Sequence, residues 1–199
     1  MDLFSASKLE INLDTEKADL YADFYPPREA NKILEELIDS TGWNQEYINF
    51  MGKISPIPRL TFWYSRESKP YTYAGIKVNP VPYTKLIGEM AKKVEEKTGL
   101  NFNSVLLNYY RDGNDSVSWH ADDEKSLGSQ VNIASISLGA ERDFQFKRKD
   151  GIGERQQITL TNGSLLVMHS PIQEFWLHQI PKRKKINEPR VNLTFRYIP

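Results

Sequence analysis

Two stretches in the first hundred residues repeat apolar positions at helical spacing. From Pro27 onward, Ile33, Leu34, Leu37 and Ile38 fall three and four residues apart, with Pro27 suited to a first turn and Gly42 near the stop. The spacing predicts an amphipathic helix. A second helix is predicted over 83–98, where Leu86, Ile87, Met90 and Val94 share one face and Gly99 follows as a natural C-terminal residue. Each should pack one face on a core. After Asn103 the pattern shortens to runs rich in Val, Ile, Leu and aromatics, broken by turn signals at 112–115, 150–151 and 161–163. Strands are predicted over 105–110, 132–138, 143–146, 157–160, 165–169 and 191–197, with a further one near Thr61. Short strands at such intervals, behind two helices, suit an α+β protein whose core is an antiparallel double sheet, a sandwich or jelly roll able to hold a ligand between its sheets.

Composition narrows this picture. The 199 residues are 39% hydrophobic and 26% charged, close to the globular average and far from disorder. One core is expected. No cysteine is present, so disulfides and thiolate zinc sites are excluded, and any metal must be held by nitrogen and oxygen. The start, Met1-Asp2-Leu3-Phe4-Ser5, lacks the basic flank and apolar run of a signal peptide, and no stretch approaches a membrane span. A soluble, intracellular protein without a membrane partner is the expectation. Lys+Arg and Asp+Glu balance at 26 each, so overall charge does not announce a nucleic-acid binder. Locally, 147–149 (Lys-Arg-Lys) and 182–185 (Lys-Arg-Lys-Lys) form compact basic clusters, either solvated loops or sites that meet phosphates.

Candidate chemistry begins at Trp119-His120-Ala121-Asp122. Alternate residues of an extended segment share a face, so His120 and Asp122 would point the same way and could grip one ion. An imidazole, a carboxylate and one more imidazole form the facial triad that leaves positions open on ferrous iron. Residue types alone leave the third ligand open between His169 and His178. In Pro189-Arg190-Val191-Asn192-Leu193-Thr194-Phe195-Arg196 the same period puts Arg190, Asn192, Thr194 and Arg196 on one face and Val191, Leu193 and Phe195 on the other. If the polar face looks outward, the arginines are solvated; if it lines a cavity, they demand anions such as a dicarboxylate. Asn108 and Tyr110, again two apart, could donate to the same ligand.

These motifs, in this order and spacing, resemble the AlkB family of nucleic-acid dealkylases over roughly residues 45–197. The resemblance implies a double-stranded β-helix, or jelly roll, with the N-terminal helices packed on one sheet. It implies a single dioxygenase domain over 1–199, with helices and nucleotide-recognition hairpins in 1–100 and the catalytic core in 101–199. It also implies Fe(II), 2-oxoglutarate and O2, with His120, Asp122 and His178 as iron ligands; His178 is preferred because Trp176-Leu177-His178-Gln179-Ile180-Pro181 resembles the family's last-ligand segment. His169, before Ser170-Pro171, is then structural. Arg190, Asn192 and Tyr110 are expected at the far carboxylate of 2-oxoglutarate, with Arg196 and Asn108 nearer its chelating end.

Further matches concern the base. Tyr71-Thr72-Tyr73-Ala74-Gly75 resembles the aromatic segment lining the base pocket of DNA-acting members, and Asp123-Glu124 resembles their acidic pair, Glu124 being the candidate base contact. Asn49-Phe50-Met51-Gly52-Lys53 resembles the hairpin that duplex-acting members push into the base stack, with Met51 at the tip. Phe50, Met51, Gly52 and Lys53 are thus candidate nucleic-acid contacts, although Phe50 and Met51 at a packed hairpin is the plainer alternative. Ala121 stands where relatives carry varied side chains. The implied activity, by a monomer, is oxidative removal of methyl groups from 1-methyladenine or 3-methylcytosine in alkylated DNA, duplex or single-stranded, releasing succinate, CO2 and formaldehyde. An RNA demethylase, a protein hydroxylase of the same superfamily and an inactive nucleic-acid-binding module are the alternatives.

Overall fold

A computed structural model describes residues 8–50, 52–67, 71–73, 76–78 and 80–199, with the backbone alone for Phe50 and residues 71–73 and 76–78. The chain opens with a hairpin, Lys8–Leu13 (β1) and Glu16–Tyr21 (β2), turning at Asp14, whose φ of 57° a short polar side chain tolerates. The helix Pro27–Ser40 (α1) follows, then the hairpin Tyr47–Phe50 (β3) and Lys53–Pro56 (β4), the strand Leu60–Ser65 (β5), and three short strands: Tyr71–Tyr73 (β6), Ile76–Val78 (β7) and Val81–Pro82 (β8). The second helix is Lys85–Thr98 (α2). The remainder is mostly strand: Ser104–Tyr110 (β9), Val117–His120 (β10), Ile133–Gly139 (β11), Arg142–Arg148 (β12), Gln156–Leu160 (β13), Ser164–Met168 (β14), Trp176–Ile180 (β15) and Arg190–Arg196 (β16), with a one-turn helix Ile172–Phe175 (α3) before β15.

Both predicted helices are present, with shifted ends. α1 buries Ala30, Ile33 and Leu37 and stops at Ser40, before the extended Thr41, so Gly42 is not its cap. A side chain at Gly42 would stand 3.2 Å from the Phe62 ring, which accounts for the glycine there. α2 begins at Lys85 rather than 83 because the Thr84 hydroxyl accepts from the Ile87 amide and caps the first turn. It ends as expected, on Gly99 at φ 70° with its N–H bonded to the Glu95 carbonyl.

The strands form a large sheet in the order β1-β2-β14-β11-β16-β9-β5-β8 and a smaller one in the order β10-β15-β12-β13, giving the double-stranded β-helix. Every pairing in them is antiparallel except the short β5–β8 pair. One face of the large sheet packs on both helices through Val105, Leu107, Ile136, Val191, Leu193 and Phe195. The other faces the small sheet across a core that includes Tyr110, Ile133, Phe144, Phe146, Leu166 and Trp176. Because the central strand β16 is buried along its whole length, its two alternating rows look into two different interiors. Cutting wholly buried Leu193 or Phe195 to alanine would cost about 2–5 kcal/mol. Among the described residues no helix is long and apolar enough to cross a membrane.

Candidate active site

The polar row of β16 faces the space between the sheets, and strand register extends it sideways. Arg190 lies opposite Tyr110 and Asn192 opposite Asn108 on β9, while Ser137 and Ser135 on β11 lie opposite Asn192 and Thr194. The middle of this wall is closed by its own hydrogen bonds. Asn192 donates to the Ser135 hydroxyl at 2.7 Å and the Ile136 carbonyl at 3.0 Å, and accepts from Thr194 at 2.8 Å and from Asn108 at 3.4 Å. Arg190 is different. It is 1% exposed, one Nη donates to the Ser137 hydroxyl at 2.8 Å, and among the described residues its Nε and other Nη have no hydrogen-bond partner. Burial pushes its pKa down to about 10, with Tyr110 working the other way, so it remains a cation at neutral pH. A buried guanidinium with N–H groups left over asks for an anion, since unpaired burial of such donors costs about 1–3 kcal/mol or more.

The other end of the pocket is built by the small sheet. β10 and β15 pair so that His120 lies opposite His178, with a register irregularity between Val117 and His120 that re-aims the strand end. The rings stand 4.2 Å apart, and His178 stacks on Phe144 at 5.2 Å. Asp122, just past the end of β10, is held twice: its amide donates to the Gln173 side chain at 2.9 Å, and Arg196 donates to its Oδ1 at 2.7 Å. Each of His120, Asp122 and His178 offers one ligand atom, and these lie within 4.8 Å of one another. They are the one such cluster of three among the described residues.

The electrostatics suit a cation. Burial pushes the His178 pKa down to about 3, with His120 adding to the effect, so its imidazole is neutral, the form that ligates. Burial opposes ionisation of Asp122, yet the Arg196 guanidinium, with His120 and His178, holds its carboxyl below the ordinary range. The Nδ1 of His120 lies 2.8 Å from the Ser118 carbonyl, where an N–H is required, and that leaves Nε2 as its free lone pair. Two imidazoles and one carboxylate, without thiolate, fit an octahedral ferrous ion with open positions.

His169 stands apart from this group. It contacts Asp19 at 2.8 Å, a carboxylate also paired with Lys8 at 2.8 Å on the outer strands. The acidic pair after the metal motif divides: exposed Asp123 pairs with Lys149 at 2.6 Å, whereas Glu124 keeps a buried Oε2 without a hydrogen-bond partner among the described residues. Burial, then the nearby Asp122 charge, raises the Glu124 carboxyl above its usual range. Glu124 does not line the pocket. Gly52, at φ 81°, and Lys53 are exposed on the β3–β4 hairpin. Met51 and the side chains of Phe50, Tyr71 and Tyr73 lie outside the described residues.

Both groups open on one pocket, whose apolar walls include Leu106, Val117, Phe144, Met168 and Ile180. Sequence reasoning missed two polar lining residues, Ser135 on β11 and Arg59, the latter donating to Asn108 at 2.7 Å and to the Ser116 carbonyl at 3.4 Å. Arg59 stands alone after Pro58, with no periodic partner to draw attention to it.

Comparison with known proteins adds independent findings. Residues 17–196 match the family described as the 2OG-Fe(II) oxygenase superfamily. The chain is 42% identical over 188 residues to the alpha-ketoglutarate-dependent dioxygenase alkB homolog 3 of Mus musculus, covering 90% of this chain and 65% of that protein. It is 38% identical over 192 residues to the DNA oxidative demethylase ALKBH2 of Mus musculus, covering 89% of this chain and 79% of that protein. The solved structure of OsALKBH1 superposes with a TM-score of 0.61 at 14% identity, covering 96% of this chain and 100% of that one, a likeness of fold alone. The chain spans just under two thirds of the length of the alkB homolog 3 relative.

Proposed function

Since the chain belongs to the 2OG-Fe(II) oxygenase superfamily and, within it, to the AlkB family, we propose that it removes alkyl groups oxidatively from damaged bases in DNA. One observation carries the reading: a single pocket has a His120/Asp122/His178 cluster at one end and a buried Arg190 with unpartnered N–H groups at the other. 2-Oxoglutarate has a chelating keto acid at one end and a free carboxylate at the other, and so matches both.

In this reading His120, Asp122 and His178 hold ferrous iron. Arg190 pairs with the remote carboxylate, beside the Tyr110 ring that lies 5.0 Å from its guanidinium carbon. Arg196 fixes the carboxylate of Asp122 and leaves its other oxygen for the metal. When bound, the iron supplies the oxidation: one oxygen atom of O2 enters succinate as CO2 leaves, and the other enters a C–H bond of the alkyl group. The hydroxymethylated base then releases formaldehyde and regains its ring nitrogen. Phe144, Met168 and Ile180 give the pocket apolar walls, which limits side reactions with water.

1-Methyladenine and 3-methylcytosine in DNA are the substrates, reached by flipping the base out of the stack. Tyr71, Tyr73 and Glu124 recognise the cationic base, and the Phe50–Lys53 tip enters the duplex. The flanks of that hairpin are exposed and apolar, with Tyr47 58%, Ile48 46% and Ile54 69% accessible, an arrangement that suits contact with a partner. The basic loop over 182–185 meets phosphates. Succinate release is the test, measured with methylated DNA, with the same lesion in RNA and with no substrate. Methylated DNA should stimulate it most, with one formaldehyde per succinate; stimulation by RNA alone, or by neither, would overturn the DNA reading.

A further inference from the structure

Beside Tyr110 lies a second buried guanidinium, to which the reaction above assigns nothing. Arg142, the first residue of β12, is 1% exposed, and among the described residues no ion pair to a carboxylate is found for it. It donates instead to backbone carbonyls, at 2.8 Å to Asp115, 2.7 Å to Pro181 and 3.4 Å to Asp112, while its Nε has no partner among the described residues. Its guanidinium carbon stands 5.6 Å from the centre of the Tyr110 ring, to which Arg190 also lies close. Burial lowers its proton affinity, an effect that Tyr110 opposes.

The carbonyls that Arg142 gathers belong to two separate loops. Asp112 and Asp115 lie in the turn that leaves β9, just after Tyr110; Pro181 follows β15, which carries His178. The same loops are laced together by Arg183 N–H to the Gly113 carbonyl at 2.7 Å and Gly113 N–H to the Ile186 carbonyl at 2.8 Å. Residue 113 must be glycine, because a Cβ would overlap the Arg183 carbonyl. These backbone bonds already join the loops, so a buried cation is not needed merely to connect them. What it adds is a flat guanidinium whose fork is fixed by the carbonyls on one side and which lies beside the Tyr110 ring on the other.

We propose that Arg142 is a positioning residue for the cosubstrate: clamped by both loops, it holds the Tyr110 ring so that the phenol hydroxyl meets the carboxylate bound by Arg190. This rests on the 2-oxoglutarate reading of the pocket. Lysine at 142 would keep the charge but lose the fork and the flat contact, so charge and positioning are separable.

The experiment uses manganese-loaded full chain and measures 2-oxoglutarate affinity by calorimetry, with Mn(II) affinity determined separately. Arg142→Lys and Arg142→Met should each weaken 2-oxoglutarate binding about tenfold, roughly one hydrogen bond's worth, and leave Mn(II) affinity unchanged. In a Tyr110→Phe background, which keeps the ring but removes the hydroxyl, Arg142→Lys should change 2-oxoglutarate affinity less than about twofold, because contacting residues are non-additive. Arg142→Lys carries the test if the Met variant fails to fold. Full affinity in Arg142→Lys would show that charge alone matters and overturn the proposal. So would an equal loss in both backgrounds, or a parallel loss of Mn(II) binding. A parent protein that binds Mn(II) but no 2-oxoglutarate would overturn the cosubstrate reading itself.

Discussion

At the carboxylate end of the pocket Arg190 and its polar neighbours Tyr110, Ser137 and Asn192 come from three adjacent strands in unbroken register, whereas at the metal end the ligands arrive from an irregular strand, the loop after it and the strand paired with it. Arg190, Asn192 and Thr194 recur at period two on β16, with β9 and β11 alongside. His120 follows a break in pairing, Asp122 lies beyond the end of β10 and is secured by Gln173 and Arg196, and His178 arrives on β15. The regular wall can present a row of donors to an elongated anion. Three ligands around one point cannot come from a flat row, so the strand has to bend, and side chains outside the ligand set hold the bend in place.

The comparison predicts unequal tolerance to substitution. Asp122→Ala or His178→Ala should lower dealkylation by more than the roughly 100-fold that loss of an outer-shell partner costs, and should abolish stoichiometric iron binding. Iron content and succinate release check this, and a variant that retains both would break the assignment of that end. Arg190→Ala should raise the 2-oxoglutarate requirement by about 10- to 150-fold, the equivalent of one charge-assisted bond of roughly 1.5–3 kcal/mol, while iron stays bound. An unchanged requirement in folded protein would remove the anion from the wall.

Outside the pocket the effects should shrink. Met51→Ala is expected to slow repair of a methylated duplex about tenfold, since flipping costs a few kcal/mol, and to affect a single strand little. Equal losses on both substrates, or a large fall in melting temperature, would place Met51 in packing instead. His169→Ala should leave iron content and turnover intact and cost less than about 1 kcal/mol, because its partner Asp19 keeps Lys8 and the pair is partly exposed. Chemical denaturation measures that cost; lost iron would return His169 to the metal site.

The regular end was readable because period two is a local property: residues 190–196 display both faces, and the structure puts one in the helix-side core and the other in the pocket. The metal end was readable only in part. His120 and Asp122 stand close in sequence, but whether His169 or His178 joins them depends on β10 pairing with β15, and β10 is four residues long with its register broken. Neither strand was foreseen from pattern, nor was the β1–β2 hairpin, whose exposed charged positions leave short apolar runs. Resemblance supplied what periodicity lacked, pointing to His178. Arg59 and Arg142 escaped both readings, since a single arginine announces burial only once the strands around it are assembled. The basic triplet at 147–149 also separates only in three dimensions: Arg148 pairs with Asp14 and Asp150, Lys149 with Asp123, and Lys147 lies 4.6 Å from the Trp119 ring.

That the two unlike ends hold the two ends of one molecule is tested most directly by titrating the ferrous protein with 2-oxoglutarate without oxygen. The reading is the visible charge-transfer absorption that arises only when the keto acid chelates iron. The parent protein should develop the band and saturate with one equivalent, Asp122→Ala should show none, and Arg190→Ala should reach the same band only at much higher 2-oxoglutarate. Binding without the band, or an Arg190→Ala titration that overlays the parent's, would mean that the cluster and the arginine do not share a ligand.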